Sequence, residues 1–180
     1  MTEKQFQTLK SKVMTPAQYN RMKFSKIASL AAYERLRKWI RNKNPNLPDH
    51  ALLDPKDYFY KNTSHRQYLS KLLETIIITL LNKAGHIAKK VETRGIQVKT
   101  KKGPLWVPGG VKMTKGEPDV ISTIKGRTVY WEVKVGKDSL GDEQKEFIER
   151  AREAGALVYV VKTVDDFFNI YENEIVKLKH

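Results

Sequence analysis

The sequence predicts an α/β protein, a mixed central β-sheet flanked by helices and preceded by a helical N-terminal extension. Three observations carry this expectation. Strand-like runs at 119–124 and 128–135 flank Lys125-Gly126, a short-turn signal, and so form an antiparallel hairpin. A helical stretch at about 142–154 separates that hairpin from a short apolar run at 156–161, and a strand–helix–strand crossover asks for parallel pairing. Tyr68, Leu69, Leu72, Leu73, Ile76, Ile77, Leu80 and Leu81 recur at helical spacing ahead of the strands. From residue 65 the order is helix, three strands, helix, strand, helix.

Taken in order, residues 1–62 read as a basic helical extension and linker, and residues 63–180 as the main domain. A helix starts at Thr15-Pro16-Ala17-Gln18, where Thr15 caps and Pro16 suits the first turn. It runs to about Asn42, as one helix or two, before Asn44-Pro45-Asn46-Leu47-Pro48 breaks it. Arg35, Lys38 and Arg41 belong to its charged side, which either lies on a nucleic-acid backbone or is a solvated face. The helix over 68–81 is capped by Thr63 or Ser64 and closed by Gly85. Residues 87–100 hold at least one strand. Lys101-Lys102-Gly103-Pro104-Leu105-Trp106-Val107-Pro108-Gly109-Gly110 reads as a basic loop. Ser139-Leu140-Gly141-Asp142 reads as a capping box for the helix at 142–154, which Gly155 ends. A last helix covers about 164–177.

Composition narrows the function. The chain has 180 residues with no cysteine, which removes disulfides, thiol catalysis and thiolate metal sites together. Thirty-four Lys and Arg against twenty Asp and Glu leave a net charge of +14, with an isoelectric point near 9.8. Residues 1–62 hold thirteen basic and five acidic residues, so +8 of that excess sits in the first third. Such a balance points to a polyanionic partner, and nucleic acid leads. No signal-like or membrane-spanning apolar run is present, so the expectation is a protein that is not secreted and not membrane-bound, in a cytoplasm-like compartment or wherever the DNA is. His50, His65, His86 and His180 show no zinc spacing, and no Gly-rich phosphate-cradling loop precedes Lys-Ser or Lys-Thr.

The chemistry gathers on the hairpin. With Lys125 and Gly126 as a two-residue turn, Ile124 faces Arg127 and Asp119 faces Glu132. Their β-carbons then lie about 4.5–5.5 Å apart. Two anions at that distance repel by about 3 kcal/mol at an effective dielectric of 20, and plain folding gives no reason to build the pair. A divalent cation between them reverses the sign, and oxygen ligands suit Mg²⁺ or Mn²⁺. Lys134 points to the same face as Glu132. Glu74 is the acid within the apolar helix; it is either a third carboxylate for the cation or a surface glutamate paired with Lys71. Trp106 either stacks a base or caps the core edge, with Lys101, Lys102, Lys112 and Lys115 placed for phosphates.

Gly116-Glu117-Pro118-Asp119, then Glu132-Val133-Lys134, then Gln144 near a helix start, then Gly155 and a Val-rich strand, resemble the PD-(D/E)xK nuclease superfamily, and within it the VRR-NUC, or virus-type replication-repair nuclease, branch. The resemblance covers about residues 68–167 and takes in Glu74 and Glu92-Thr93-Arg94-Gly95. It implies a restriction-endonuclease-like αβββαβ core. It further implies a metal held by Glu74, Asp119, Glu132 and the Val133 carbonyl, with Lys134 meeting charge on the phosphate or orienting water and Gln144 supporting the site. Small members act on branched DNA such as Holliday junctions, as homodimers, in DNA repair and recombination, and leave 5′-phosphate and 3′-hydroxyl ends. The expected function is therefore a Mg²⁺- or Mn²⁺-dependent endonuclease selective for branched DNA. Its rivals are a sequence-specific restriction-type nuclease and a non-catalytic basic nucleic-acid-binding protein.

Overall fold

A computed structural model describes residues 23–43, 65–91, 96–100, 103–107 and 115–178. They fall into two compact units, residues 1–77 with 162–177, and residues 78–161 with 178–180. Among the described residues no helix is long and apolar enough to cross a membrane.

The first unit holds a 3-10 turn at Lys23–Lys26, helix α1 at Leu30–Lys43, the first part of helix α2 (His65–Lys83), helix α4 at Val164–Ile170 and a π-helical turn at Tyr171–Ile175. The helix expected over about 15–42 is thus broken at 27–29, and its start at Thr15 lies outside the described residues. Local hydrogen bonding explains the break. The Ile27 carbonyl accepts from Val164 N–H at 2.6 Å. Ser29 begins a new helix by accepting from Ala32 N–H at 3.1 Å, while the Asp165 carboxylate takes both the Ser29 N–H and its hydroxyl. Phe24, Ile27, Tyr33, Leu36 and Ile40 are buried, with the Phe24 and Tyr33 rings edge to face at 5.4 Å. Thr163 caps α4, accepting from Asp166 N–H at 3.1 Å. The expected terminal helix therefore continues past Ile170 with π geometry.

The second unit contains the end of α2, strands β1 (Ile87–Lys90), β2 (Ile96–Thr100), β3 (Gly103–Val107), β4 (Val120–Ile124) and β5 (Arg127–Val133), helix α3 (Asp142–Glu153) and strand β6 (Leu157–Val161). The helix expected from Thr63 or Ser64 is α2, whose cap lies outside the described residues. It ends as anticipated: Gly85 adopts φ +90° and His86 N–H returns to the Leu81 carbonyl at 3.1 Å. The Asn82 amide then brackets Ala88, donating to its carbonyl at 2.8 Å and accepting its N–H at 3.0 Å, which fixes where β1 begins.

The main sheet runs β1-β4-β5-β6, with β1, β4 and β5 antiparallel and β6 parallel to β5, so the expected mixed sheet with helices about it is present. The expected hairpin register holds, with Ile124 opposite Arg127 and Val120 opposite Trp131. Lys125 at φ +50° and Gly126 at φ +76° make a turn whose twist matches the strands. Val120 and Ile124 on β4 and Val129, Trp131 and Val133 on β5 are buried, and Ser122 Oγ accepts the Trp131 indole N–H at 2.9 Å.

One expectation is corrected. The loop assigned to 101–110 contains β3, which pairs with β2 as a separate two-stranded sheet. Pro104, opposite Lys99, argued for a loop; in a two-stranded ribbon each strand has a free edge, where a missing N–H is harmless. The stretch at 87–100, expected to hold at least one strand, holds β1 and β2.

Candidate active site

Strand alternation and the turn bring four expected residues to the end of the hairpin far from Lys125-Gly126. Asp119 lies one residue before β4, and its Oδ2 accepts Val133 N–H at 2.9 Å, locking the carboxylate across from the end of β5. Glu132 is 1% exposed. Its Oε1 lies 2.9 Å from Lys134 Nζ and accepts from Gln144 Nε2. Its Oε2 is buried with no hydrogen-bond partner among the described residues. Lys134, 8% exposed, donates N–H to the Val161 carbonyl at 3.0 Å and places Nζ 3.7 Å from Asp138 Oδ2.

Burial pushes the Glu132 carboxyl up to about 7, the Asp119 charge adds to that rise, and Lys134 and Gln144 oppose it. For Lys134, burial pulls the ammonium down, but the hydrogen bond and charge of Glu132, with Asp138 and Asp119, outweigh it and leave the group above the ordinary lysine range. Lys134 is therefore a cation and hydrogen-bond donor at neutral pH, not a base.

Gln144 uses both ends of its amide. Oε1 accepts Gly141 N–H at 3.0 Å at the start of α3, while Nε2 donates to Glu132. The expected capping box is corrected here. Gly141, not Ser139, is the residue before the helix, because Gln144 rather than Asp142 reaches back. On the next turn Phe147 meets Tyr130 edge to face at 5.3 Å, so α3 covers the strand face that bears Glu132.

Sequence reasoning named Gly116 as part of a motif but missed its physical role. At φ +74°, a Cβ built there would come 2.1 Å from the Glu143 carbonyl oxygen and 2.7 Å from Gln144 N. The loop leading to Asp119 thus touches the first turn of α3 backbone to backbone, an approach open to glycine. Lys115, placed for phosphates by its sequence, is exposed and pairs with Glu143 at 3.1 Å. Asp138, a partner of Lys134, was also missed; an acid four residues after Lys134 was the available signal.

The other expected residues are distributed as follows. Glu74 lies on α2 in the first unit and is 7% exposed, so it is not the surface glutamate of the alternative reading. In the same unit the Arg35 guanidinium pairs with Glu172 and lies 3.8 Å over the Phe168 ring, so it packs the fold; Lys38 and Arg41 are exposed. Trp106 is on β3, opposite Gln97. Lys101, Lys102 and Lys112 lie outside the described residues.

The donor set suits a hard divalent cation. A buried carboxylate oxygen without a partner beside a second carboxylate is an unfavourable arrangement by itself, and oxygen ligation by Mg²⁺ or Mn²⁺ would relieve it. Among the described residues no group of three or more His, Asp or Glu is gathered in metal-holding geometry, so the second unit offers two carboxylates and the Val133 backbone. Neither a protein-family model nor a curated protein matches this chain.

Proposed function

We propose that this chain is a Mg²⁺- or Mn²⁺-dependent DNA endonuclease of the PD-(D/E)xK type, in the VRR-NUC branch, with branched DNA as its substrate. One observation supports this reading above the others: Asp119, Glu132 and Lys134 meet at one hairpin end, with Glu132 Oε2 buried and unpartnered. Asp119 and Glu132 would hold the cation, which when bound lowers the pKa of water and polarises the phosphate. Lys134, held as an ammonium, meets negative charge developing on the phosphoryl oxygens. Gln144 keeps Glu132 Oε1 turned toward α3 and leaves Oε2 for the ligand. Val133 N–H orients Asp119. The Val133 carbonyl is a further ligand that the resemblance implies.

The test is a panel of linear duplex, flap, splayed-arm and four-way-junction DNA, with Mg²⁺ or Mn²⁺ and with EDTA. Metal-dependent cutting that favours branched forms, lost in Asp119→Asn, is expected. Equal cutting in EDTA would refute the site, and indifference to branching would remove the junction preference. The net charge of +14 favours a second reading, a basic nucleic-acid-binding protein without catalysis, which predicts binding but no cutting under any condition.

A further inference from the structure

The turn end of the β4–β5 hairpin carries a feature that the carboxylates do not use. An open groove of about 510 Å³ lies between β5 and the C-terminal half of α3. Small residues line it: Ala151 on α3, Ala154 and Gly155 just past its end, Ala156, and Gly126 at the hairpin turn. Tyr130 and Phe147, edge to face at 5.3 Å, also line it. Thr128, Arg127 and Arg150 complete its polar lining, and no acidic residue lines it among the described residues. Arg127 is exposed. Arg150 Nη1 stands 4.0 Å from Glu146 Oε1 with both side chains more than half exposed, a contact worth little in water, which leaves guanidinium donors for another anion.

The chemistry of these walls selects a ligand with both phosphate and a flat ring. Each guanidinium offers a rigid fork of donors matched to phosphate oxygens. The aromatic pair offers a surface against which a base packs. We propose that this groove binds a segment of nucleic-acid strand, with phosphates on Arg127 and Arg150 and a base against Tyr130 and Phe147. A strand fits better than a free nucleotide because the groove is open and its cations are exposed, whereas small-ligand sites enclose most of their ligand.

The inference rests on the nuclease reading and adds a length to it. Arg127 stands five residues before Glu132 on β5, about 17 Å along the strand at 3.3–3.4 Å per residue. A nucleic-acid strand advancing about 3.4 Å per nucleotide spans that in about five nucleotides. The groove therefore serves substrates that extend at least about five nucleotides to one side of the cut.

Binding of a fluorescein-labelled 20-nucleotide single strand, followed by anisotropy in EDTA across a salt series, tests the groove without cleavage. Arg127→Glu/Arg150→Glu is expected to weaken binding at least about tenfold and to reduce the salt slope by about 1.4, two contacts at about 0.7 each. Lys83→Glu/Lys89→Glu makes the same charge change elsewhere and is expected to lose less than about threefold. Equal losses in both variants, or no loss in the arginine variant, would overturn the proposal. So would a mononucleotide that competes at the same concentration as the strand. A strand carrying 5-iodouracil should cross-link to Tyr130 or Phe147, and cross-links confined to other residues count against it. Cutting by the unmodified protein with Mn²⁺ is scored separately, because its absence refutes the nuclease reading while the binding result still decides the groove.

Discussion

The two ends of the β4–β5 hairpin are built on opposite principles. At the Asp119 end, charge is buried: Glu132 is 1% exposed, Lys134 is 8% exposed, and α3 is held close by Gln144 and by the approach of Gly116 to Glu143. At the Lys125-Gly126 end, Arg127 and Arg150 are exposed, Ala151 and Ala154 are among the residues facing β5, and the space between is open. A glycine with positive φ marks each end. A Cβ on Gly116 would strike backbone at 2.1 Å, while one on Gly126 would meet nothing within 4 Å. The same residue type thus serves packing at one end and chain reversal at the other. Tight packing accompanies the buried charge, and the loose end leaves its charge exposed.

Substitutions sharpen that contrast. The largest effect is expected from Asp119→Asn or Glu132→Gln, which should lower metal-dependent cutting by about 100-fold or more while DNA binding in EDTA changes little. A cutting assay with a parallel anisotropy titration reads both. Next comes Gly116→Ala. Its clash is with backbone, so we expect a stability loss of about 1–3 kcal/mol and a fall in cutting of about tenfold or more as Gln144 shifts. Gly126→Ala should cost only about 1 kcal/mol, from its positive φ, with cutting retained. Urea denaturation of the two variants side by side checks the pair, and equal losses in both would break the comparison.

Acidity gives a further handle on the buried end. A cation must displace the proton that Glu132 holds up to about pH 7, so Mg²⁺ or Mn²⁺ affinity should rise with pH, about tenfold per unit, and level off above that value. Calorimetric titrations between pH 5.5 and 8.5 measure this, with one proton released per ion at the acid end. Stability has the opposite sign. The folded state binds more protons than the unfolded chain between 4.5 and about 7, so the contribution of this group falls as pH rises through that window. The fall is roughly 3 kcal/mol at most, and Glu132→Gln should flatten it in EDTA.

The register behind the buried end of this contrast is legible in the sequence; the groove at the turn end is not. Lys125-Gly126 between two strand-like runs sets the register by itself, and the strands keep it from Ile124 opposite Arg127 to Val120 opposite Trp131. The parallel partner of β5 followed from the length of the crossover. What stayed hidden depended on contacts distant in sequence. Pro104 read as a loop residue because its strand has a single partner among the described residues, which no local pattern reveals. The break at 27–29 depends on Asp165, 136 residues away from Ser29. Gln144 could be named from the motif, but its double use could not, since Ser139 and Gly141 are both acceptable starts for the helix and a side chain from β5 decides between them.

That 136-residue separation has a kinetic corollary. Asp119, Glu132, Val133, Lys134 and Gln144 lie in one unbroken run of chain, closed by a tight turn and a short crossover, so they assemble with little loop-closure entropy. The junction of Ser29 with Asp165 must instead wait for two segments 136 residues apart to find each other. Refolding should therefore restore the carboxylate neighbourhood early, and the Ser29–Asp165 junction later.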